Sequence, residues 1–199
     1  MINEEVVEEV LRGHLEASKW AIPRVVKVFI SSTRADFQEE RKILLEQVGP
    51  EIQDMFDNTG LEVELVDMHY GTGQDVHLDP FQFDDHLHEI RRCQKVSRGC
   101  FYLCLVGEET TPSPLPATLP VDQVTTLKDR LGEEIEALYP TNNNDSGAVR
   151  SLQRPGDISD EDWQNRMTTL TDQLKELGDE CPVQLRRSAV EHQLQLAAG

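Results

Sequence analysis

Three hydroxyls, two arginines and three acids fall within eleven consecutive residues, Ser31-Ser32-Thr33-Arg34-Ala35-Asp36-Phe37-Gln38-Glu39-Glu40-Arg41. Hydroxyls at the end of a strand, followed by acids over the first helical turns, can form a ligand or partner site, and a carboxylate there can act as a general acid or stabilise charge. The same residues can also do purely local work: Ser31 to Thr33 as turn and capping groups, Asp36 and Arg41 as an ion pair. Neither Ser31 nor Ser32 is flanked by the glycines of a nucleophile elbow, so a serine hydrolase triad does not fit. On spacing alone the local role is favoured, with a ligand or partner site as the alternative.

Other chemistry-bearing residues are weaker candidates. His69, Asp75, His77 and Asp79 crowd one loop, with His86 and His88 nearby, and imidazole with carboxylate suits a metal. His86 and His88 lie two apart in a helical pattern, however, and point to different sides. Solvated loop histidines are the simpler expectation. The four cysteines include no C-x-x-C pair, and Cys93, Cys100 and Cys104 read as reduced core thiols. Arg91, Arg92, Lys95 and Arg98 form the one basic cluster, which the C-terminus of a helix explains without nucleic acid.

The elements that must position the motif are legible from periodicity. Val25 to Ile30 is a β-branched and aromatic run that delivers the hydroxyls at its C-terminal end. A helix over about 36–57 follows, with Asp36 expected as its N-cap, Phe37, Leu44, Leu45, Val48, Ile52 and Phe56 on its buried side, and a kink at Gly49-Pro50. Asn58-Thr59-Gly60 closes it. Residues 61–67 alternate as a strand with one acidic face, ending at Asp67, so the sheet is wet on one side or this strand is an edge. A helix over about 84–97 starts near Asp84 and Asp85, and Cys100 to Val106 is the third strand. Strand, helix, strand, helix, strand with right-handed crossovers predicts a short parallel sheet of Rossmann-like or flavodoxin-like layering. In such sheets ligands bind outside the carboxyl ends of the strands, which is where the motif sits.

Around this α/β body, residues 3–19 read as an amphipathic helix with a Val6, Val7, Val10, Leu11, Leu15 stripe. Thr110 to Pro120 reads as a proline-rich connector, Val121 to Leu138 as one helix, and about 140–157 as disordered loop. Trp163, Met167, Leu170, Leu174 and Leu177 step at heptad spacing, expected to pack on a neighbouring surface rather than as a coiled coil. Arg186 to Ala198 closes with a short helix. Three parts are expected: an N-terminal helix at 1–20, the α/β domain at 21–120, and a helical extension at 121–199.

The 199 residues carry 19 Lys and Arg against 37 Asp and Glu, a net charge of -18. That field repels phosphate backbones and anionic lipid surfaces, so general nucleic-acid or membrane binding is not expected. The longest apolar stretch, Cys100 to Val106, is far short of a bilayer span. Glu4, Glu5, Glu8 and Glu9 stand where a secretory signal would be basic, and a cytoplasmic location is expected. No cofactor is expected.

Phe29-Ile30-Ser31-Ser32-Thr33, then Asp36, then Glu40-Arg41 resembles the F-I-S-S-T-x-x-D-x-x-x-E-R signature of the DUF4062 family. That family is TIR-like in fold and stands at the N-terminus of large STAND proteins, among them NACHT and WD-repeat proteins and telomerase protein component 1. Val66-Asp67 at the end of the second strand and Glu89-Ile90-Arg91-Arg92-Cys93 are similar to further family patterns, and Pro114-Leu115-Pro116 looks like the NACHT-WD subgroup. The resemblance covers about residues 25–120. His69-Tyr70-Gly71 stands where the family usually has Arg-Trp-Gly, and the family's Gly-x-x-Tyr-Gly loop is replaced after Gly107. No P-loop occurs in these residues.

The resemblance implies an N-terminal piece of a longer scaffold. It would be a non-catalytic interaction and regulatory module whose rim comprises Ser31, Ser32, Thr33, Asp36, Glu40, Arg41, Asp67 and Glu89. Protein partners are implied, downstream NACHT and WD-repeat domains among them, with oligomerisation as a further option. Arg41 is expected to pair with Asp67 or Glu89. The alternative is a TIR-like NAD-cleaving enzyme with its acid among Asp36, Glu39, Glu40, Asp67 and Glu89. The Val6 to Leu15 and Trp163 to Leu177 stripes are the expected contact surfaces.

Overall fold

The structure is a computed structural model, and it describes residues 24–71, 79–97, 99–108, 113–141, 147–182 and 185–199. The expected N-terminal helix at 1–20, Asp75, His77, Arg98, Pro112 and the Asn142 to Ser146 run lie outside the described residues. Strand β1 is Val25–Ser31, β2 is Glu62–Val66 and β3 is Tyr102–Cys104. They form a parallel sheet in the order β2-β1-β3, with Val25 opposite Glu62 and Phe29 opposite both Val66 and Tyr102. The fold is thus α/β with helices flanking a three-stranded parallel sheet, of Rossmann-like or flavodoxin-like kind. β2 is an edge, and its acidic face is answered by a Lys27–Glu64 ion pair at 2.5 Å across the ladder.

β3 is short, so it leaves Lys27 of β1 without a strand partner on that side. The Ser97 hydroxyl takes both backbone groups, accepting from Lys27 N at 2.6 Å and donating to Lys27 O at 2.8 Å. A buried strand edge requires such partners.

Helix α1, Gln38–Ile43, runs through a π-helical turn, Leu44–Val48, into α2, Gly49–Phe56. The expected break at Gly49-Pro50 takes this form. Pro50 has no N–H to give Glu46, and the ladder shifts register so that Gly49 N–H bonds Leu44 O. Gly60, in the left-handed region at φ 70°, ends the helical run as its sequence implied.

Helix α3 is Pro80–Val96 and begins four residues before the expected Asp84 start. Asp79 is the N-cap, its side chain accepting from Phe81 N and Gln82 N, and Pro80 occupies the first turn, where its missing N–H is harmless.

The helix expected from Val121 to Leu138 is two: α4, Val121–Leu131, and α5, Glu133–Leu138. Gly132 breaks it at φ 79°, ψ −160°, a conformation essentially reserved for glycine. The connector and loop around them also hold structure. β4, Thr118–Pro120, pairs antiparallel with β5, Val149–Ser151, inside the stretch expected to be disordered. Helix α6, Asp160–Glu176, follows, and α7, Ala189–Ala198, opens on a Ser188/Glu191 capping box.

Two cores result. One joins Leu115, Leu119, Val124, Leu127, Ile135, Leu138 and Tyr139 to Trp163, Met167, Leu170 and Leu174 of α6. The Trp163 to Leu177 stripe is therefore not a free docking surface. Trp163 and Leu170 are wholly buried inside this chain, because α4, α5 and the residues around the β4–β5 strand pair supply the opposing apolar side. The second core lies on the sheet, where Phe29, Ile90 and Cys93 meet Tyr102 and, from α7, Leu196 and Ala197. The last helix thus packs on α3 and the sheet, far from its sequence neighbours.

Candidate functional site

The motif sits where β1 ends. Alternation along β1 puts Ser31 on the same face as Phe29, toward α7, and both are 1% exposed. The Ser31 hydroxyl donates to Gln193 Oε1 of α7 at 2.5 Å. Gln193 Nε2 lies 3.2 Å from His86 Nδ1 of α3, and the His86 ring meets Phe29 edge-on at 5.9 Å and His69 at 5.6 Å. Burial, with the neighbouring His69 adding to it, lowers the His86 imidazole to about 3. This ring is a neutral core group at ordinary pH.

Arg41 gathers the rest. Its Nε donates to Asp67 Oδ2 at 3.1 Å, Nη1 to Ser32 Oγ at 3.0 Å and to Thr33 O at 2.8 Å, and Nη2 to Arg34 O at 2.9 Å. The two side chains are 6% and 1% exposed, and Asp67 Oδ1 also accepts from His69 N at 2.9 Å. One guanidinium from α1 thereby fixes the turn after β1 to the end of β2. Of the two acids expected for Arg41, Asp67 takes it; Glu89 lies on α3 and pairs with Arg92 at 3.4 Å.

Asp36 does not cap α1. The helix starts at Gln38 behind Phe37 with no side-chain cap bond; residues 34–37 form a turn, and Arg41 holds the Thr33 carbonyl just before it and the Arg34 carbonyl at its start. The Asp36 carboxylate instead lies against Gly107 beyond β3, where an added Cβ would come within 2.3 Å of Asp36 Oδ2. Glu40 is exposed, while Ser31, Ser32, Thr33 and Arg41 are buried. The eight predicted residues therefore divide. Ser32, the Thr33 carbonyl, Arg41 and Asp67 form one bonded cluster, Ser31 is bonded separately to Gln193 of α7, Asp36 lies against Gly107, and Glu40 and Glu89 stand apart.

Sequence reasoning missed Gln193 and the pairing of His69 with His86. A glutamine inside His192-Gln193-Leu194-Gln195-Leu196 gave no sign that it would be 0% exposed. Among the described residues no group of three His, Cys, Asp or Glu is placed to hold a metal ion. Cys93 is buried, and burial raises its thiol to about 11, so it is a core group rather than a nucleophile. No helix among the described residues is long and apolar enough to cross a membrane.

Comparison with known proteins gives partial similarity. The chain is 28% identical over 107 residues to NACHT and WD repeat domain-containing protein 2 of Homo sapiens, a match covering 53% of this chain and 6% of that protein. It is 30% identical over 92 residues to NACHT domain- and WD repeat-containing protein 1 of Mus musculus, covering 46% of this chain and 6% of the relative. The matched segment is thus a small fraction of each relative's length. No family model and no solved structure matches the chain.

Proposed function

We propose that the chain is a DUF4062-type, TIR-like module of a NACHT and WD-repeat scaffold, working by protein contact rather than catalysis. The observation that carries this reading is the inward use of the motif. Arg41 gives four hydrogen bonds to the chain itself, and Ser31 and Ser32 are buried in bonds to Gln193 and Arg41. A catalytic serine or arginine must face substrate, and these face the fold. The similarity to two NACHT and WD-repeat proteins supports the scaffold setting, and the module is proposed to act in the cytoplasm. Its partners would include the NACHT and WD-repeat portions of such a scaffold, with self-association through exposed faces as a second mode.

Two measurements test this. The chain, titrated against a recombinant NACHT-WD segment of the Homo sapiens relative, should bind in a calorimeter, and absence of binding would count against the scaffold role. Incubated with NAD, alone and under forced oligomerisation, it should release no nicotinamide. Turnover lost on replacing Glu39, Glu40 or Glu89 by glutamine would replace the module with an enzyme.

A further inference from the structure

Strand β2 stands at the end of the sheet order β2-β1-β3, with one edge that no described strand pairs. In a parallel ladder the N–H and carbonyl of one residue point to the same side, and those of the next residue to the other. Glu62 N donates to Arg24 O, so Glu62, Glu64 and Val66 turn toward β1. Leu61, Val63 and Leu65 therefore present their main-chain groups outward. An edge of this kind is a template for another strand, and a stable fold has to manage it.

The first half of this edge is filled by a side chain. Gln53 of α2 accepts from Val63 N at 2.7 Å through Oε1, and its Nε2 donates to Leu61 O at 3.3 Å. The amide takes the place of a neighbouring strand's peptide group, as the Ser97 hydroxyl does beside Lys27. Asp57, four residues on, accepts from the same Nε2 at 2.7 Å. An ionised carboxylate only accepts, so Asp57 fixes which end of the amide faces which strand group. The second half of the edge is open. Among the described residues no side chain answers the Leu65 N–H, and a groove of about 390 Å³ runs beside Leu65 and Val66, lined also by Leu45, Glu46 and Tyr70.

We propose that Gln53 keeps β2 from pairing with β2 of a second copy of this chain. The strand is self-complementary: run antiparallel about Glu64, Val63 of one copy stands opposite Leu65 of the other, and the two exchange N–H···O bonds through their outward groups. Their side chains, half-buried in the single chain, share one face and extend the apolar layer across the junction. The two Glu64 carboxylates at the centre repel, but each already holds Lys27 at 2.5 Å. With Gln53 in place the Val63 N–H is engaged in both copies, so each Val63–Leu65 pair loses one of its two bonds, and the amide stands in the path of the incoming strand. The net charge of -18 adds a longer-range repulsion, which salt screens. This device belongs to the sheet edge and does not rest on the scaffold reading.

The experiment is sedimentation equilibrium of the full chain at physiological ionic strength, joined to hydrogen exchange of single amides followed by NMR. Gln53→Ala puts the best helix former into α2 and frees the edge, and it should dimerise about tenfold more tightly than the wild type. Its Leu65 amide should exchange more slowly as the protein concentration rises. Adding Leu65→Pro to Gln53→Ala removes an outward donor that β1 does not use, and association should return to the wild-type value. Unchanged association of Gln53→Ala overturns the proposal. Tighter association that survives Leu65→Pro overturns β2 as the interface. Should the proline variant fail to fold, the Leu65 amide of Gln53→Ala decides alone: exchange there that is indifferent to concentration overturns the proposal.

Discussion

Acid should loosen this fold through His86. In the unfolded chain an imidazole titrates near 6.5, whereas in the fold burial and His69 hold His86 at about 3. Between those values the unfolded chain takes up a proton that the folded chain refuses. Stability from this group is therefore intact above about pH 6.5 and declines as the pH falls toward 3. The slope for one such group is about 1.4 kcal/mol per pH unit, so descending from pH 6.5 to 4.5 should remove about 2–3 kcal/mol. Urea unfolding followed by circular dichroism at intervals across that range measures it. Because 37 acids also titrate on the way down, the informative quantity is the difference from His86→Gln, which keeps a polar group facing Gln193 but cannot take a proton. The wild type should lose stability faster than the variant. Parallel curves would refute the claim that His86 is held neutral by its surroundings.

Arg41→Met should cost about 3–5 kcal/mol by stranding the buried Asp67 carboxylate, and an Arg41→Met/Asp67→Asn double variant should recover part of that in a denaturant double-mutant cycle. Gln193→Ala should cost about 1–3 kcal/mol in the same measurement, since Ser31 and His86 both lose a buried partner. Gly107→Ala should lower the melting temperature by forcing a methyl against the Asp36 carboxylate, and Asp36→Gly should restore it. Equal effects of Gly107→Ala in both backgrounds would show that the two residues do not meet.

Much of the sheet was legible because its signals are local. The β-branched run of β1, the alternation of β2 and the apolar third strand lie in consecutive residues, and their parallel order follows from the helices between them. The Arg41 partner could be narrowed to two acids but no further, since only the register of α1 on β2 decides between Asp67 and Glu89. The α3 start was misplaced because Asp84 and Asp85 resemble a cap, although Asp79-Pro80 carried the stronger signature of an N-cap followed by proline. The Ser188-to-Glu191 spacing likewise announced where α7 begins. Periodicity identified the Trp163 stripe as apolar but could not say which surface would cover it. Ser31 and Gln193, 162 positions apart, have no local signature at all.

The return of α7 to the sheet has a consequence during synthesis. All three strands and α3 have been synthesised by about Gly107, yet the helix that completes their apolar face, Ala189–Ala198, follows only much later in the chain. At roughly 5–20 residues per second the remaining stretch takes on the order of 5–20 s. Throughout that interval Phe29, Ile90 and Cys93 are without the Leu196 and Ala197 side chains that cover them in the finished fold. A nascent chain of this design presents a sticky, half-built sheet to holdase chaperones for far longer than a β-hairpin needs to form. Ribosome-bound chains arrested just before α7 should therefore associate with such chaperones more strongly than chains arrested after α7 has cleared the exit tunnel.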